Sequence, residues 1–158
     1  MSRIFFALVF ASTIGCGIVA GIFYAFSSFV MPALGRLPAE QGVSAMNQIN
    51  VTVITPSFML VFLGTAVLSL LLAGASLFYW ASPGARLAFV GGVLYLVGCF
   101  GVTMAFNVPL NDRLAAVEPA QVPTLWAHYL DAWTKWNTVR TIAPVLSMVA
   151  LLLALTKA

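Results

Sequence analysis

The residues able to bind or polarise a small molecule are few, and the densest group of them is Trp126–Arg140, WAHYLDAWTKWNTVR. At about 100° per residue of helix, Trp126, Tyr129, Trp133, Trp136, Asn137 and Arg140 fall on one stripe. His128, Asp131 and Lys135 fall on the opposite side. A solvated helix would set its amide and guanidinium away from its indoles. Sharing a face, they describe an aromatic-walled cavity with a polar floor, at the entry to the last apolar segment. A belt of Trp and Tyr at headgroup level is the competing explanation, but a belt has no use for Asn137 and Arg140. Such a cavity suits a flat, apolar molecule with one or two oxygens. Its rings would stack on the aromatics, and Asn or Arg donors would stabilise an enolate-like oxygen.

Other polar residues are candidates for the same place. Asn107 and Asn111 are four apart, but Pro109 between them predicts a turn at the mouth of a helix rather than a shared face. With Asp112 and Arg113 they form a denser polar cluster than a turn requires. Asn47 and Asn50, three apart on a predicted helix, would reach the same cavity or bond between helices. Asp131 and Lys135 have the spacing of a solvated ion pair. His128 shares their side, so it is not placed as a base, although it is the single histidine and histidine is the residue type suited to proton transfer near neutral pH.

Missing residue types exclude several functions. The two cysteines, Cys16 and Cys99, lie in apolar runs, and there is a single histidine. No Cys/His cluster exists to hold zinc, and one histidine cannot make a two-histidine haem site within one chain. No metal and no cofactor are expected. No carboxylate, lysine or histidine is buried in mid-span, which argues against a proton-coupled transporter but leaves a passive pore as a third-ranked reading. The net charge of +3 is scattered, with no basic patch for nucleic acid.

The elements that must position these residues are membrane spans. Of 158 residues, 62% are hydrophobic and 7% charged, against about a quarter charged in soluble domains. The mean hydropathy is +1.05. Four apolar runs reach the roughly 20 residues needed to cross a bilayer: about 4–30, 56–80, 86–106 and 138–155. The first is too long for a signal peptide and is read as a retained helix. Pro32 follows the first run and Val108-Pro109 ends the third, while Pro144 is a candidate kink in the fourth. Gly17 and Gly21 form a GxxxG, and Gly91, Gly92, Gly98 and Gly101 dot the third run; all read as ordinary helix packing.

The expected fold is an all-α four-helix transmembrane bundle, one integral membrane domain over 1–158. Two long loops containing short helices lie on one side, and a tight turn at Pro83-Gly84 lies on the other. A helix is predicted to start at Pro38, with Glu40 suited to its positive end, and another near Pro123. The halves echo each other, with Pro32-Ala33-Leu34-Gly35-Arg36-Leu37 after the first span and Pro109-Leu110-Asn111-Asp112-Arg113-Leu114 after the third. This hints at a duplicated hairpin. Arg3, Arg86 and Lys157 on the side of the termini stand against Arg36, Arg113, Lys135 and Arg140 on the other; if Arg36, Arg113 and Arg140 are held in a site, the remaining bias favours a bacterial plasma membrane protein with both termini in the cytoplasm.

Taken in order, FSSFVMPAL (26–34), MNQIN (46–50), NVPLNDRL (107–114) and the WxxYLxxWxxWNxxR of 126–140 resemble the anthrone-oxygenase-like (DUF1772) family of four-span membrane proteins. The resemblance covers nearly the whole chain. It implies an enzyme that oxidises an anthrone to an anthraquinone with O₂ and with no evident metal or flavin. It also points to Asn107, Asn111, Trp133, Trp136, Asn137 and Arg140 as the site. One departure stands out. Many relatives carry histidine directly after the W-N asparagine, where this chain has Thr138, which puts the family's activity in question here.

The reading that follows is a membrane-embedded, cofactor-independent oxygenase, a monooxygenase for a small aromatic, phenolic or quinone-like substrate. Arg140 and Asn137 would stabilise the anion, Asn107 and Asn111 would orient the substrate, and Trp133 and Trp136 would form walls. Tyr129, Trp126, Asn50 and Asn47 would complete the lining. The alternative is a non-catalytic, lipophile-binding or accessory subunit of a larger membrane complex. Expected partners are a lipophilic small molecule and membrane lipid, with a homo-oligomer or larger assembly as the quaternary options.

Overall fold

The computed structural model describes residues 3–157, and every regular element among them is helical. Helix α1 runs Arg3–Leu34, α2 Ala39–Thr52, α3 Pro56–Phe78 and α4 Pro83–Ala115. The last helix, α5, runs Val122–Thr156 and is entered through a 3-10 turn at Pro119–Gln121. Helices α1, α3, α4 and α5 are each long and apolar enough to cross a bilayer. The fold is therefore all-α, and its four apolar helices mark an integral membrane protein.

In the bundle α1 packs on α3 and α5, and α4 packs on α3 and α5, leaving α1 diagonal to α4. Lipid offers apolar groups no incentive to leave it, so close fit must hold such helices together. At Gly92 of α4 a methyl group would come within 2.7 Å of the Ser69 carbonyl of α3, so only glycine permits that approach. The predicted GxxxG is a different matter. A Cβ at Gly17 would come within 3.3 Å of Met148 Sδ on α5 while one at Gly21 would meet nothing within 4 Å, so only the first glycine of the pair lies at a helix contact.

One end of the bundle gathers the start of α1, the tight α3–α4 turn and the end of α5. Phe5 meets Tyr79 there with ring centroids 5.8 Å apart. The opposite end carries α2 and the long extensions of α1, α4 and α5. At 1.5 Å per residue, the 35 residues of α5 extend about 52 Å, well beyond the roughly 30 Å of hydrocarbon. Its first turns, with Trp126 and Tyr129, therefore stand proud of the apolar layer and hold α2 against them. A Cβ at Gly42 of α2 would lie 2.6 Å from the Trp126 ring, so this contact too requires glycine.

The structure corrects the sequence at two prolines. The spans predicted to stop at 30 and 106 continue through Pro32 and Pro109. In each case a π-helical segment lies just ahead, Phe26–Val30 and Thr103–Asn107. The Met31 amide bonds the Phe26 carbonyl and the Val108 amide bonds the Thr103 carbonyl, five residues back. The widened turn relieves the clash between a proline ring and the carbonyl of the preceding turn. Both π segments, both prolines and the Arg36/Arg113 pair are related by the same 77-residue offset. The duplication hinted at by the sequence is thus repeated in the backbone.

Candidate functional site

Arg140 sits inside the bundle, 6% exposed. Its guanidinium carbon lies 4.1 Å from the Phe23 ring centre and 4.7 Å from that of Trp133. Each such desolvated cation–π contact is worth about 2 kcal/mol, which offsets part of the several kcal/mol that burying a charge costs. The Nε hydrogen is donated to Asn137 Oδ1 at 2.9 Å, and Nη1 donates more weakly to Thr103 Oγ1 at 3.5 Å. A guanidinium has five N–H donors, so most of its capacity is not taken up by protein acceptors. Among the described residues the one ion pair is Lys135 with Asp131, 2.7 Å apart on the outer face of α5. Arg140 has no carboxylate partner there.

Asn137 is fully buried, and its amide is spoken for. Its nitrogen donates to the Phe23 carbonyl at 2.8 Å and to Ser27 Oγ at 2.6 Å, while its oxygen holds Arg140. It joins α1 to α5 and aims the guanidinium rather than facing the cavity.

Asn107 and Asn111 do share a face, against the expectation of a turn between them, because the π segment carries α4 past Pro109. Both meet Trp133. Asn107 Nδ2 donates to the Trp133 carbonyl at 3.2 Å. Asn111 Oδ1 accepts from Trp133 Nε1 and from the Tyr129 hydroxyl, each at 2.8 Å. A ladder of rings, Trp126, Tyr129 and Trp133, with successive centroids 5.7 and 6.0 Å apart, is pinned to α4 by one amide.

Beside this ladder is a cavity of about 360 Å³. Its polar lining consists of Arg140, Thr103, Asn111 and Asn50, and Trp133 forms one wall. The remaining walls are apolar, with Phe23, Phe26, Phe58, Phe62 and Phe100 prominent. Of the residues predicted to line it, Arg140, Asn111, Asn50 and Trp133 do so.

The others lie elsewhere. Asn137 and Asn107 are behind the lining, Trp126 and Tyr129 are further up the ladder, and Asn47 is on α2, outside it. Trp136 is half-exposed and stacks on Phe106 with ring centres 3.6 Å apart, outside the bundle wall. It stands one step off the buried stripe, since three residues back at Trp133 the same face already points inward. Thr138 is exposed and borders a separate outer groove with Met31, Arg36 and Lys135; its hydroxyl lies 3.4 Å from Ser27 Oγ, so it meets the Arg140 network only through Ser27 and Asn137 and does not line the cavity. His128 is also exposed.

The sequence reading missed Phe23, Thr103 and the phenylalanines of α3. Thr103 had a signal, lying one helical turn before Asn107. The phenylalanines had none, being apolar residues in uniformly apolar spans.

These features define an all-helical membrane protein with an internal aromatic cavity that presents one unneutralised guanidinium. The family model described as anthrone oxygenase matches residues 58–150. That stretch is more than half of the chain and contains Thr103, Asn107, Asn111, Trp133, Asn137 and Arg140. The chain belongs to the anthrone oxygenase family. No curated protein and no solved structure matches it.

Proposed function

We propose that the cavity binds a flat phenolic, enolic or quinone-like molecule with its oxyanion against Arg140, and that the protein is a cofactor-independent monooxygenase of such a substrate. One observation carries this reading: a buried guanidinium with no carboxylate partner among the described residues, facing an apolar, aromatic cavity. A cation in a poorly solvated place stabilises a nearby anion strongly. It therefore favours the ionised, electron-rich form of the substrate, the form able to react with O₂. The balance needs no further reductant. A methylene compound R₂CH₂ loses a proton, its carbon forms a bond to O₂, the resulting peroxide anion takes a proton back, and the hydroperoxide R₂CH–OOH loses water to give R₂C=O. One oxygen atom enters the product and the other leaves as water.

In this scheme Arg140 holds the oxyanion, Asn137 positions Arg140, and Asn111 fixes the Trp133 wall. Asn107 holds the Trp133 backbone, and Asn50 offers a further donor. Among the described residues no carboxylate or imidazole lines the cavity, so no side chain is assigned as the base.

The test is anthrone turnover under O₂ by the protein in lipid nanodiscs, followed as oxygen uptake and quinone absorbance. Wild type should exceed the buffer rate, and Arg140→Gln should lose at least about tenfold, the effect of losing about 1.4 kcal/mol of anion stabilisation. A wild-type rate equal to buffer rejects catalysis.

The missing acid–base residue favours a second reading, a lipophile-binding or accessory subunit. Binding of 2-hydroxyanthraquinone, whose colour changes on ionisation, without anthrone turnover would support it.

A further inference from the structure

We propose that the ligand enters the cavity sideways from the bilayer, through an apolar mouth framed by Ile54, Leu63 and Met104. The inference rests on the reading of the cavity as a ligand site, and it narrows the ligand to membrane-dissolved amphiphiles that lead with their oxygen.

All three residues line the cavity, yet they are 69%, 41% and 52% exposed. They are therefore the rim where interior meets exterior, and each is apolar. The water-facing end is roofed by α2, which contributes Met46, 1% exposed, together with Ile49 and Asn50. The mouth instead lies along the seam of α3 and α4. That seam is shut at Gly92 against Ser69 and again where the Tyr95 hydroxyl donates to the Phe62 carbonyl at 2.9 Å. Beyond this bond, towards α2, the helices part around the cavity.

Leu63 is two turns inside α3 from Pro56, roughly 10 Å along the axis, within the hydrocarbon of a span of this length. A route bordered by Ile54, Leu63 and Met104 would expose apolar side chains to water if it opened there, an arrangement that costs about 25 cal/mol per Å². Opening to lipid carries no such cost. Polarity also rises inward, from the rim, through the phenylalanine walls, to Thr103 and Arg140. Dioxygen, more soluble in hydrocarbon than in water, shares this route.

The test places a nitroxide on a single cysteine at 63 or 104, in full-length protein with Cys16 and Cys99 replaced, in phospholipid vesicles. Collisions with dissolved O₂ should dominate over collisions with a water-soluble nickel chelate at 63 and 104. Adding 2-hydroxyanthraquinone should reduce O₂ collisions at 63 and 104 but not at Leu70, which faces outward and does not line the cavity. In a second arm, Leu63→Trp should slow both the uptake of probe preloaded in the vesicle lipid and its release by about tenfold, because a narrowed mouth alters both rates. A chain that binds the probe but shows nickel-dominated collisions, or unchanged uptake in the tryptophan variant, overturns the lateral mouth. A wild-type chain that binds no probe overturns the cavity reading beneath it.

Discussion

Asn137 Oδ1 accepts the Nε hydrogen of Arg140 at 2.9 Å, while the nitrogen of the same amide is held by the Phe23 carbonyl and Ser27 Oγ. Those two bonds fix which way the amide points. They present a neutral acceptor to the guanidinium, so its positive charge is oriented without being cancelled.

Replacing that acceptor by a charged one should silence the site. In Asn137→Asp the new carboxylate pairs internally with Arg140, and the cavity no longer offers a net cation. The ionised form of 2-hydroxyanthraquinone should bind about 10- to 100-fold more weakly, a loss of about 1.4–2.8 kcal/mol, with the neutral form much less affected. A spectrophotometric pH titration of the bound probe checks this. The apparent pKa of the bound phenol should rise towards its free value, and an unchanged titration curve contradicts the argument.

Asn111 should matter to stability more than its size suggests. Asn111→Leu strands two donors, the Tyr129 hydroxyl and the Trp133 indole N–H, and each unsatisfied buried group costs about 1–3 kcal/mol. Tyr129→Phe removes one donor cleanly and should cost about 1 kcal/mol. The pair should be coupled, with the double variant less destabilised than the sum of the singles. Thermal unfolding in a mild detergent reads all three, and strict additivity would show that the amide does not bridge the two rings.

The neighbouring aromatics should behave unequally. Trp133→Leu removes a cavity wall and one side of the cation sandwich, and probe affinity should fall by at least about tenfold. Trp136→Leu touches only the outer stack with Phe106, and affinity should stay within about twofold of wild type. Intrinsic fluorescence quenching by the probe distinguishes them, since equal losses would mean that Trp136 also reaches the ligand.

Position 138 gives a related test. Thr138→His replaces the hydroxyl beside Ser27 with an imidazole bordering the outer groove, not the cavity, so anthrone turnover should not rise. A marked gain in rate would show that this side chain does reach the substrate.

Much of this arrangement was legible in the sequence because helical geometry is rigid. A spacing of three and four residues suffices to put Trp126, Tyr129, Trp133, Asn137 and Arg140 on one side of α5, and that side is buried. The placement of Trp136 was not, because a stripe is broad and only packing decides where its edge lies. Asn107 and Asn111 were separated by a sound rule about proline that does not foresee a π turn ahead of it. The phenylalanine walls were invisible for a different reason. In a span that is apolar all round, composition does not distinguish the residues facing lipid from those facing a cavity. The repeated proline motif was the better guide to architecture, since it marks the same backbone device in both halves.

The wide turn at Thr103–Asn107 has a mechanical consequence. Because α4 continues past Pro109 through the widened turn, one helix carries Thr103, Asn107 and Asn111. The hydroxyl that meets the guanidinium and the two amides that hold the Trp133 backbone and indole are therefore set by a single backbone path, so the polar corner of the chamber and its indole wall share one support.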